Sequence, residues 1–188
     1  MKLLFSSLLT VLLMATASSQ SKLPYYEIPE ASAEFTAGTV ASRMVDGLGF
    51  RYYWATEGLI EKDLDFKPNN DARTTIETIN HILDLSQVTL NAVLNKPNGD
   101  KQPEMTFTEK RKKTLENLKK ASDILKLSKD LSQYKIIFGE KEFPFWNAIN
   151  GPIADATWHV GQIVSFRRSS GNPLPKGVSF LTGTVKKK

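Results

Sequence analysis

The run Arg73-Thr-Thr-Ile-Glu-Thr-Ile-Asn-His81-Ile-Leu-Asp-Leu-Ser-Gln-Val-Thr-Leu90-Asn-Ala-Val-Leu94 decides the fold class. From a start near Arg73 to Thr75 it places Ile76, Ile79, Leu83 and Leu90 on one helical face. Ile82, Leu85 and Val88 widen that face into a broad apolar surface, which only packing against other elements can keep from water. Three further segments offer such partners. Ala33 to Glu57 repeats Val40, Met44, Leu48 and Tyr52, with Gly58 placed to stop it. Thr106 with Glu109 fits a capping box opening a third helix, along which Leu115, Leu118, Ser122 and Leu125 recur at packing spacing. The fourth begins around Asn150-Gly151-Pro152, where proline is tolerated because its missing N–H has no intrahelical partner, and it ends by Gly171 with Pro173 beyond. Four such segments predict an all-α chain, a four-helix bundle.

The connections carry the breakers. Leu64-Asp-Phe66-Lys-Pro68 reads as an extended connector, because the residue before proline is pushed out of the helical region. Asn95 to Glu104 is a polar, turn-rich loop. Before the last helix, Tyr134–Phe138 and Lys141–Phe145 flank Gly139-Glu140, which reads as a short hairpin or an irregular crossover.

At the N-terminus, Lys2 and a short apolar run through Met14 lead into Ala15-Thr-Ala-Ser-Ser-Gln20, the order of a secretory signal peptide. The run is shorter than the roughly 20 residues a membrane-spanning helix needs. Cleavage before Gln20 or after Ala17 fits the small residues there. The expectation is residues 1–19 as signal peptide, residues 20–188 as one domain, a periplasmic or secreted product, and no stable membrane anchor after cleavage. The chain has no cysteine, which excludes disulfides, iron–sulfur clusters and thiolate zinc, and leaves nitrogen and oxygen as metal donors. The net charge of +5 includes the tail Lys186-Lys187-Lys188, and the cluster Lys110-Arg111-Lys112-Lys113 reads as a solvated helix face. Little basic surplus remains for nucleic acid, and none is expected as a partner.

Only two histidines occur, His81 and His159, and Asp155 lies four residues before the second. Residues four apart on a helix stack on one face, so Asp155 and His159 can reach one ion together. His81, on the inner flank of another helix, is the natural third ligand. Each residue also has a plainer reading: a carboxylate in a first helical turn favoured by the helix dipole, and buried imidazoles bonded to carbonyls. Gln162, Asn150 and Trp158 are secondary candidates for supporting hydrogen bonds or pocket walls, although Asn150 and Asn147 also suit capping or surface roles. Trp54 and Trp146 read as core or pocket walls, and Arg167-Arg168 complement a helix C-terminus.

The run Gly151-Pro-Ile-Ala-Asp155-Ala-Thr-Trp-His159-Val-Gly-Gln162 through Pro173 resembles the last helix of the DinB-like superfamily, His-x-Gly-Gln being the most specific part. Ala55-Thr-Glu-Gly58, Leu64-x-Phe66-x-Pro68 and Thr78-Ile-Asn-His81-Ile resemble that family's first two helices and their connector, so the likeness spans about Phe35 to Pro173. It implies a four-helix bundle, often dimeric, with a divalent metal held by a second-helix histidine and a fourth-helix histidine pair. Carried over, those positions are His81 and His159, with Asp155 standing where many relatives have histidine. Two histidines and one carboxylate suit zinc, nickel, iron(II) or manganese. The resemblance supplies no reaction; a metal with open positions can acidify a bound water, so the first expectation is a metal-assisted hydrolase of an unidentified small molecule. The alternatives are a metal-dependent thiol transferase, less natural outside a reducing compartment, and a non-catalytic ligand-binding or interaction bundle.

Overall fold

The computed structural model describes residues 22–186, so the signal-peptide reading of residues 1–19 lies outside the described residues. Three of the four long helices start where a threonine can accept from a free N–H. Thr36 caps α1 (Ala37–Thr56), Thr74 caps α3 (Thr75–Leu94) and Thr106 caps α4 (Phe107–Leu127), with Glu77 and Glu109 reaching back to the cap N–H groups in the last two. Caps of this kind contribute about 0.5–2 kcal/mol each. Gly58 and Asn95 end α1 and α3 in left-handed backbone, at φ 69° and 50°. A one-turn helix, α2 (Glu61–Leu64), precedes the Pro68 connector.

A short helix, α5 (Phe145–Ala148), which the sequence did not suggest, precedes the last long one; the chain kinks within Ile149–Ile153, at the expected start, and resumes as α6 (Ala154–Ser169). Pro152 lies inside the kinked segment and Gly151 has a non-helical backbone, φ −91° and ψ −105°. The break at Gly151 places Pro152 at the start of the resumed helix, where its missing N–H has no intrahelical partner to lose.

The chain is mostly helical with small sheets, a correction to an all-α reading. β1 (Pro97–Asn98), inside the polar, turn-rich loop, pairs in parallel with β2 (Lys135–Phe138). β2 pairs antiparallel with β3 (Lys141–Pro144) around Gly139-Glu140, Gly139 at φ 57° supplying the tight turn. A second pair, β4 (Val178–Ser179) and β5 (Thr184–Val185), follows α6.

α1 and α3 each pack against both α4 and α6. Leu48, Phe50, Tyr52, Ile79, Ile82, Leu115, Leu118, Leu125 and Ile163 are all but inaccessible at the centre. The buried stripe of α1 runs through Ala41, Val45, Leu48 and Tyr52, whereas Val40 and Met44, expected on it, are 48% and 42% exposed. Arg111, expected on a solvated face, and Arg167, expected to complement a helix C-terminus, are both buried. Arg111 donates to Thr56, to the Tyr53 carbonyl and to Glu57, and Arg167 donates to the carbonyls of Trp54, Ala55 and Asn172. Both thereby satisfy carbonyls at the end of α1 that the helix leaves without partners. Among the described residues, no helix is long and apolar enough to cross a membrane.

Candidate metal centre

His81 projects from α3, and Asp155 and His159 from successive turns of α6 just beyond the kink. The three side chains converge. His81 Nε2 lies 3.2 Å from Asp155 Oδ2, and His159 Nε2 lies 3.4 Å from Asp155 Oδ1. The imidazoles meet edge to face, with ring centroids 4.7 Å apart. One donor atom from each residue falls within 4.8 Å of the other two. Atoms bound at about 2.0–2.2 Å to one ion lie roughly 3–3.5 Å apart, so only a small side-chain adjustment separates this triangle from a ligand set.

The hydrogen bonds sort the nitrogens. His159 Nδ1 lies 2.7 Å from Gln162 Oε1, and with that oxygen as acceptor the proton sits on Nδ1. In the neutral ring the Nε2 lone pair then faces a carboxylate oxygen. His81 can satisfy Oδ2 with an N–H, but Oδ1 and the His159 lone pair remain two acceptors turned toward each other. A cation between them relieves that opposition, and the hard nitrogen–oxygen donor set matches a divalent first-row ion. As a purely structural device the cluster would contribute little. Asp155 is 38% exposed and His81 31%, and ion pairs this wet stabilise by about 0–1 kcal/mol.

The secondary candidates divide. Gln162 orients an imidazole through its outer nitrogen. Asn150 lies exposed in the kinked segment, and Trp158 is 73% exposed, so neither walls a pocket at the cluster; Trp146 is equally exposed, while Trp54 is buried. The reason is helical phase: Trp158 is one residue from His159, and one residue turns the side chain by about 100°.

Two features escaped the sequence reading. Asp84, three residues after His81, lines a cleft of about 880 Å³ along α3, with Asn80, Gln87, Asn91 and Lys110. Partial burial raises the Asp84 carboxyl, and the nearby His81 opposes the rise. The cleft is edged by a relay of carboxamides: Asn117 donates to Gln87, Gln87 to Asn91, Asn91 to Asn98, and Asn98 to the Ile137 carbonyl. The i, i+3 spacing of His81 and Asp84 was the available signal for the first; the relay crosses elements and left none.

No family model, curated protein or solved structure matches this chain.

Proposed function

We propose that this chain is a DinB-like four-helix bundle in which His81, Asp155 and His159 hold a divalent metal for metal-assisted hydrolysis of a small molecule. The observation that carries the reading is the convergence of three donors within 4.8 Å, with Gln162 leaving the His159 lone pair free to bind. Zinc, nickel, iron(II) and manganese all accept such a set. The bound ion would supply Lewis acidity, polarising a carbonyl or acidifying a water. The protein's residues do the rest. Asp155 contributes the negative charge that offsets the ion, Gln162 holds the His159 tautomer, and Asp84, near enough to His81 for their charges to interact, lines a cleft along α3 that none of the three ligands lines. Export through the leader-like N-terminus favours hydrolysis over transfer of a thiol.

The test is metal titration and elemental analysis of the wild type, Asp155→Asn and Asp155→His, with thermal melts alongside. Asp155→Asn should weaken metal affinity by more than the ~10–100-fold typical of losing an outer partner. Asp155→His should preserve or strengthen it. If Asp155 serves only the helix dipole, Asp155→Asn will cost within about 1 kcal/mol of stability and leave metal affinity unchanged, which removes this residue from the site.

A further inference from the structure

The outward side of α1 borders a second hollow that shares no residue with the imidazole cluster. Phe35, Val40 and Met44, at 93%, 48% and 42% exposure, help to wall a mainly apolar groove of about 380 Å³ formed with residues 30–34. Asp46 also lines it, yet is only 6% exposed, so it lies deep in the groove. Its Oδ1 accepts from Ser122 Oγ at 2.6 Å and from Tyr25 OH at 3.1 Å. Among the described residues, no donor reaches Oδ2.

Oδ2 is not among the buried oxygens without a partner, so although most of the residue is withdrawn from water this one atom stays accessible to an incoming donor. Burial raises the Asp46 carboxyl, while the bonds from Ser122 and Tyr25 and the charges of Arg43 and Lys119 restrain the rise. The basic residues lining the groove do not complete it. Arg43 Nη1 donates to the Pro29 carbonyl at 2.6 Å, and neither Arg43 nor Lys126 forms an ion pair with Asp46. Glu30 and Glu34 add negative charge to the same hollow. Apolar walls around one carboxylate oxygen short of a donor complement a ligand that is apolar along its body and cationic at one end.

We propose that this groove binds a small amphiphile carrying a protonated amine, with the amine donating to Asp46 Oδ2 and the apolar body lying against Val40, Met44 and Phe35. Calorimetric titration with octylamine, octanol and octanoate, each below its aggregation concentration, tests it. Octylamine should bind at least about tenfold more tightly than the other two, the scale of a charge-assisted hydrogen bond. Asp46→Asn keeps an acceptor for Ser122 and Tyr25 but removes the charge, and should weaken octylamine at least about tenfold without creating octanoate binding. Met44→Lys, at an exposed wall position, should have a similar effect by repulsion, and it decides alone if Asp46→Asn does not fold. Absence of octylamine binding, equal binding of octanoate, or unchanged octylamine affinity in the deciding variant would overturn the proposal.

Discussion

The two ends of α6 each meet a carboxylate from opposite chemical positions. At the C-terminal end, Asp63 accepts from Ser170 Oγ, from Asn172 Nδ2 at 2.6 Å and from the Ile60 N–H at 3.0 Å, while Arg167 satisfies the carbonyls of Trp54 and Ala55. Every strong group there has a complementary partner within the chain. At the N-terminal end, the partners of Asp155 among the described residues are two imidazoles, and the neutral His159 ring that donates to Gln162 turns a lone pair toward it. A closed network holds helices together; an arrangement short of a positive charge is built to receive one. Asp63 is 1% exposed and Asp155 38%, so the closed end is also the dry one, where a missing partner costs most.

Arg167→Ala should break the comparison most visibly. It strips donors from buried carbonyls and leaves a void, so a loss of about 3–5 kcal/mol is expected in denaturant unfolding. Metal affinity of the folded fraction should not change; a fall would mean that the two ends are coupled through α6. Gln162→Ala should act the other way round, lowering metal affinity about 10–100-fold in a competition titration while barely moving the melting temperature. The smallest effect concerns acid. Burial raises the Asp63 carboxyl, but the hydrogen bonds from Asn172, Ile60 and Ser170 and the charge of Arg167 outweigh it and hold the group below its ordinary value. The unfolded carboxyl therefore binds the proton first as pH falls. Asp63's contribution to stability is present above about pH 4 and is lost as pH drops through the lower folded value. Melts from about pH 6 to pH 2 should show a shallower acid decline in Asp63→Asn than in the wild type.

The helices were legible because local chemistry marks them: Thr106 with Glu109 opens α4, Asn95 closes α3, and apolar residues recur between. The face of α1 was not. Val40 and Met44 are as apolar as Val45 and Leu48, and only the path of α4 decides which pair is covered. Likewise, neighbouring arginines at 167 and 168 look alike in sequence, but one of them meets the end of α1. β1 is two residues long with a partner beyond α4, too little local pattern to notice. In the candidate centre, the spacing of Asp155 and His159 and the presence of just one other histidine named the cluster. The free oxygen of Asp46 depends on Tyr25 and Ser122, both distant in sequence, and had no local signature.

The kinked segment Ile149–Ile153 sets where the last helix begins again. Gly151 leaves helical backbone inside it, so α6 takes its direction from the kink rather than as a continuation of α5. Phe145 and Ala148 on its upstream side are buried, which anchors the chain ahead of the kink. The direction in which Asp155 and His159 look is thus set by the backbone of a five-residue segment as much as by their own identities. Shortening that segment would preserve both side chains yet re-aim them relative to His81, so in this fold the stretch upstream of the donors is itself part of the centre.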